Sequence, residues 1–121
     1  MLIRYKKTFE KIAMGLLSFM PNEKDVKKLQ QTMKQYETDE NWQLYLWKND
    51  DDIIGLVGIV RLNETDFEIR HLTVNPSYRN QGIGRRIVRA VHELDPDANF
   101  TPAPDVEPFM KKIEEEGNKD G

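Results

Sequence analysis

The sequence contains no cysteine. Disulfides, thiolate metal ligands and a cysteine nucleophile are therefore excluded, and nothing in the chain needs an oxidising compartment. Histidine is scarce too. His71 and His92 are the only two, too few and too separated to frame a metal site. No apolar run approaches the roughly 20 residues of a membrane span. The start, MLIRYKKTFEKIAMGLLSFMP, is basic and then apolar, but Glu10 and Lys11 interrupt it and no small-residue cleavage site follows. A cytoplasmic protein is expected. Excess charge of one sign is also missing. The net charge is −3, so no global field recruits nucleic acid or an anionic membrane, and any anion site must be local.

What is present suits one compact domain. The chain has 121 residues, enough for one core and too few for two. Leu2-Ile3-Arg4-Tyr5 reads as a short first strand. Phe9, Ile12, Ala13, Leu16, Leu17 and Met20 recur at helical spacing, with Thr8 as the expected cap. After Pro21, Asn22 is placed to cap a second helix whose stripe is Val26, Leu29, Met33 and Tyr36, with Glu23 and Asp25 near its positive end. The period then changes to two. WQLYLWK, IIGLVGIVRL and FEIRHLTV read as three strands joined by the polar turns NDDD and NETD, an antiparallel meander. Pro76 ends the third. Ile83, Ile87, Val88, Val91 and Leu94 form a helix face, ANFT a short fifth strand, and Val106, Phe109, Met110 and Ile113 the face of a last helix with Asp105 as its cap. Residues 1–117 are taken as the domain and 118–121 as a polar tail. Trp42 and Trp47 are read first as core packing.

Between the meander and the next helix lies SYRNQGIGRR, Ser77 to Arg86. A helix N-terminus presents unpaired N–H groups and partial positive charge, and so holds anions. Glycine lets a backbone approach an anion closely. Arg79, Arg85 and Arg86 add fixed charge, whereas Arg89 reads as a solvated helix face. Gly82 and Gly84 thus mark a phosphate or diphosphate cradle. It is not a P-loop, which needs four residues between its glycines followed by Lys and Ser or Thr. Nor is it a dinucleotide fingerprint, because Ile87 stands at the third glycine and an antiparallel meander precedes.

The string Val74-x-Pro76-x-x-Arg79-x-x-Gly82-x-Gly84, with this element order, resembles the acetyl-CoA loop of the GCN5-related N-acetyltransferases (the GNAT superfamily). IIGLVGI is similar to that family's third strand. The resemblance covers nearly the whole chain, up to about Gly117. It implies a mixed α/β (α+β) single domain, β-α-α-β-β-β-α-β-α, without the two C-terminal strands the family usually adds. It implies acetyl-CoA as cofactor and acetyl transfer to a small-molecule amine or a protein lysine. The diphosphate would lie on Arg79, Asn80, Gln81, Gly82, Ile83 and Gly84, with Arg85 close by. The pantetheine arm would pair with the backbone of Leu72, Thr73 and Val74. An amine near neutral pH must lose a proton, and the resemblance makes Glu68 the first candidate base and His71 the second. Glu68 has a second reading as a solvated strand residue paired with Arg70 or Arg61, and His71 as core or cleft lining. Met110 stands where the family often has a proton-donating tyrosine, and Ala103 where an asparagine is common. These departures keep a second function open, a CoA-binding regulatory or interaction module. A strand edge left bare would also suit a homodimer. Within the superfamily, MLIRYKKTFEKIAMGLLSFMPNEKDVKKLQQTMKQYETD resembles small members encoded with the riboflavin biosynthesis genes of bacilli, which implies a genetic link to riboflavin and no particular substrate.

Overall fold

The computed structural model describes residues 1–120, with side chains described through Glu115. Strand β1 (Leu2–Arg4) leads through a 3-10 turn at Lys7–Phe9 into α1 (Glu10–Leu17) and α2 (Val26–Thr38). The meander follows as β2 (Trp42–Asn49), β3 (Asp52–Arg61) and β4 (Asp66–Val74). A second 3-10 turn at Pro76–Tyr78 leads to α3 (Ile83–Leu94), then β5 (Asn99–Pro102) and α4 (Glu107–Asp120). The tail expected at 118–121 is thus helical through Asp120, and Gly121 lies outside the described residues. No helix among the described residues is long and apolar enough to cross a membrane.

The five strands lie in sequence order in one sheet. β1 to β4 are antiparallel, as the short polar turns require, and β5 joins β4 in parallel because α3 crosses over between them. Helices cover both faces. A Cβ built on Gly58 would run into the Tyr36 ring of α2, while one built on Gly55 would lie 2.7 Å from Ile87 of α3. The two glycines point to opposite faces and make room for one side chain from each helix layer. The core follows: Leu46, Leu56, Val57, Ile87, Val91 and Val106 have no exposed surface. α4 rests on α3, with Ile113 and Phe109 against Gly84.

Several expected caps are placed otherwise. Thr8 lies inside the 3-10 turn, and Phe9 precedes α1 without a side-chain cap. Asp25 caps α2 by accepting from the Lys27 amide at 3.1 Å. Asn22 and Asp105, each expected to cap a helix, instead bond to each other at 2.7 Å across 83 residues of sequence. Val26 is 61% exposed and leaves the α2 stripe to Leu29, Met33 and Tyr36.

Two irregularities in β4 position the site. Gly58 pairs with His71 but Ile59 pairs with Ile69, so Arg70 is an extra residue, a β-bulge. The parallel pairing with β5 covers Asp66 to Ile69 only. Its last bond runs from the Ala103 amide to the Ile69 carbonyl at 2.9 Å. Past Ile69 the two strands separate and β4 continues alone to Val74.

Candidate active site

The separation leaves a backbone edge. The Asn75 amide donates to Ile54 of β3, so Thr73, two residues earlier, turns its amide and carbonyl into the β3 ladder as well. Leu72 and Val74 turn theirs the other way, toward the gap. Of the three residues expected to meet an extended arm, two therefore face it and Thr73 does not. Both side chains are buried toward α3, so only main chain is on offer. The Val74 carbonyl accepts from Arg79 Nε at 3.3 Å.

The glycine turn closes one end of this gap. Asn75 accepts from the Ser77 amide at 2.9 Å and tightens the exit from β4. Asn80 and Gly82 have positive φ, 66° and 77°, on either side of Gln81. Such alternation gathers successive N–H groups into a concave anion nest. The first amide to regain a helical partner is that of Arg86, which donates to the Gly82 carbonyl at 3.1 Å. The amides of Ile83, Gly84 and Arg85 precede it and have no backbone acceptor. A Cβ on Gly82 would meet nothing within 4 Å, so the space before the nest is open. A cleft of about 150 Å³ runs from Val74 past Gly82 and Ile83 to Phe109 and Lys112 of α4. Arg79, Arg85, Arg86 and Arg89 have no carboxylate within 4.0 Å among the described residues. Unpaired amides, open space and unneutralised guanidinium groups suit a diphosphate joined to an extended, peptide-like arm.

The candidate bases sit on the opposite, α1/α2 face of β4. Glu68 lies one residue before the end of the β5 pairing. Its Oε1 is 2.7 Å from Arg70 Nε, an ion-pair contact without hydrogen-bond alignment. The Arg70 guanidinium lies over the Trp42 ring, 5.0 Å from its centroid. His71 is buried and both its ring nitrogens are engaged. Tyr36 Oη is 2.5 Å from Nδ1, and Glu23 Oε1 is 3.1 Å from Nε2. An ionised carboxylate only accepts, so Nε2 carries its proton toward Glu23, and the phenol donates to Nδ1. Thr32 donates to the other Glu23 oxygen at 3.1 Å. Burial alone would raise the Glu23 carboxyl, but the hydrogen bond from His71, with Thr32 and the charge of Lys28, holds it below its ordinary value. Burial pushes the Tyr36 phenol far above its own, with Glu23 and Glu68 adding to the rise and Arg70 opposing it.

Sequence reasoning missed Tyr36 and Glu23 as partners of His71. Periodicity assigned Tyr36 to a core stripe and Glu23 to a helix end. The one signal available was Gly58, a glycine inside a strand, which marks close approach by another group. Among the described residues no cluster of His, Asp and Glu could hold a metal ion.

The chain is similar to known proteins in both sequence and fold. A family model described as the acetyltransferase (GNAT) family matches residues 10–101. A Bacillus methanolicus protein named "Uncharacterized N-acetyltransferase in lysA 3'region" is 61% identical over 114 residues, 94% of this chain and 95% of that one. Among solved structures, an aminoglycoside N-acetyltransferase in complex with CoA superposes with a TM-score of 0.75 at 13% identity, over 97% of this chain and 86% of that one. A GNAT family acetyltransferase from Elizabethkingia anophelis with acetyl-CoA bound gives 0.59 at 22% identity, over 75% of this chain and 54% of that one. At these identities the structural likeness is one of fold.

Proposed function

The chain belongs to the acetyltransferase (GNAT) family, and from that premise we propose that it transfers acetyl from acetyl-CoA to an amine. One observation carries the reading: the unpaired amides before α3 open onto the bare Leu72–Val74 edge where β4 parts from β5. In this reading the nest and Arg85 hold the diphosphate, and Leu72 and Val74 pair with the pantetheine arm. When bound, acetyl-CoA supplies the thioester whose acetyl carbon the amine attacks, the C–N bond forming as the C–S bond breaks. The Leu72 amide faces the gap and is the donor placed to polarise the acetyl carbonyl. Glu68, on the acceptor side, takes the proton of the incoming ammonium, directly or through water, once its carboxylate is released from Arg70. Both nitrogens of His71 are committed to Tyr36 and Glu23, so it acts as a positioning residue for β4 rather than as the base. Met110 cannot protonate the thiolate. With an ordinary thiol pKa of about 8.5, the thiolate leaves without a strong acid, so the missing donor slows transfer without forbidding it.

The acceptor is a small amine or a protein lysine. The riboflavin link rests on the N-terminal resemblance alone; the Bacillus methanolicus relative's name places its gene beside lysA and mentions no riboflavin gene. A second reading, a CoA-binding regulatory or interaction module, is favoured by Met110 and by the Glu68–Arg70 contact. Calorimetric titration of acetyl-CoA into the wild type and Gly82→Val tests the cofactor reading. Binding by the wild type and loss in the variant is expected; no binding to either would end it. CoA release with a panel of amines then separates the enzyme from the module, since the module binds and releases none.

A further inference from the structure

At the β4 bulge two successive residues, Arg70 and His71, turn toward α2. His71 goes inward to Tyr36 and Glu23. Arg70 stays near the surface with its guanidinium over the Trp42 ring, and Tyr36 braces that ring edge-on. A cation is thus fixed beside the candidate base, next to the point where β4 parts from β5. Among the described residues Glu68 is the one carboxylate within 4.0 Å of it. Their contact is close but poorly aligned. Glu68 Oε1 and Arg70 Nε are both buried, and neither makes a hydrogen bond. A misaligned pair forgoes much of what a charge-assisted bond contributes. The Arg70 side chain is 41% exposed and that of Glu68 22%, so a ligand can reach their remaining atoms. An anion and a cation lie in contact on the acceptor side, each with bonding capacity unused.

We propose that the acceptor is an α-amino acid, its carboxylate held by Arg70 and its ammonium by Glu68. The proposal rests on the acetyl-transfer reading above and narrows it. Glu68 and Arg70 touch, so the two charges of the ligand must also lie nearly in contact. An α-amino acid has both on one carbon. A protein lysine or a plain amine brings no anion for the guanidinium. A planar carboxylate matches the guanidinium fork with two parallel hydrogen bonds. As it docks it draws Arg70 away from Glu68, and one misaligned pair is exchanged for two aligned ones. The Trp42 ring keeps the guanidinium in place through the exchange. Glu68 is then free to take a proton from the ammonium. The nitrogen attacks the acetyl carbon, the C–N bond forms, the C–S bond breaks, and the products are an N-acetyl amino acid and CoA. Of the two protons the nitrogen sheds, one leaves through Glu68 to water and the other ends on the CoA thiol. An acceptor without a carboxylate leaves Glu68 paired and the base occupied.

The test measures CoA release from acetyl-CoA with the common α-amino acids, each beside the amine left when its carboxylate is removed, in the wild type and Arg70→Gln. For at least one amino acid the wild-type kcat/KM is expected to exceed that of its amine by about a hundredfold, the effect of two charge-assisted hydrogen bonds. An α-amino group is also less basic than an alkylamine. The variant therefore supplies the reference, and only the preference it loses belongs to Arg70. Arg70→Gln should lose most of it, chiefly through a raised KM for the amino acid, with acetyl-CoA affinity unchanged by calorimetry. Arg70→Lys keeps the charge without the fork and should fall between the two; it carries the test if the glutamine variant does not fold. A preference that is equal in the wild type and the folded variants overturns the proposal and leaves acetyl transfer standing. So does turnover of plain amines with none of the amino acids. Acetyl-CoA binding without turnover of any acceptor overturns the acetyl-transfer reading and this proposal with it.

Discussion

Glu68 and Arg70, the bulge residue of β4, meet at 2.7 Å. Two substitutions separate the roles within the site. Glu68→Gln keeps the shape and removes the base, so turnover should fall by about a hundredfold, within the range of general-base catalysis, while acetyl-CoA affinity is unchanged. Steady-state rates beside calorimetry check this. Unchanged turnover across pH would move the base elsewhere. At the other end of the site, Gly82 has φ 77° and open space before it. Gly82→Val forces a β-branched residue into the left-handed region and puts methyl groups into the open space before the proposed anion nest. Acetyl-CoA binding should be lost while far-UV circular dichroism still reports a folded chain.

The elements themselves were largely readable. Strand periodicity placed the three meander strands and the polar turns between them, and the glycine turn placed the start of α3. Which strands part company was not readable, because the gap comes from β5 pairing only as far as Ile69. Nor was the bulge at Arg70, since a register shift leaves the alternation in FEIRHLTV almost intact. The caps failed for a related reason. Asn22 and Asp105 have the chemistry of caps, but a bond between them satisfies both. The contact of α2 with β3 gives a prediction at this scale. A methyl on Gly58 would collide with Tyr36, whose ring is held by His71 and packs edge-on against Trp42 at 5.1 Å. Gly58→Ala should destabilise by about 3 kcal/mol, combining overpacking with a strained or broken buried hydrogen bond. Tyr36→Phe removes the closest colliding atom, the phenol oxygen, and so relieves part of the collision. The double variant should therefore be more stable than the sum of the two single effects, a coupling that denaturant titration would read directly. Simple additivity would mean that the ring moves aside at no cost.

Across the whole molecule the cations and anions serve different ends. Among the described residues the arginines around α3 have no carboxylate partner, while buried Glu23 ties the α1–α2 connection to β4 through His71. Glu37, at the end of α2, plays a similar part for the start of the chain. Burial would raise it, but bonds from Tyr5 and Lys7 lower it. Both carboxyls are therefore more acidic folded than unfolded. A group whose folded pKa is depressed stabilises above its unfolded value, here the ordinary 4.5 for Glu23, and that contribution disappears as pH falls through the lower folded value. The melting temperature should thus be flat from neutral pH down to about 5 and then fall steeply toward about 3. Glu23→Gln isolates one contributor. Glutamine can still accept from His71, but it has no charge to lose. The variant should melt lower than wild type at neutral pH, because a neutral acceptor replaces a charged one. Its loss of stability below about pH 5 should be shallower, so the two curves converge in acid. Parallel curves would show that Glu23 titrates alike folded and unfolded, and that the His71 bond leaves its ionisation unchanged.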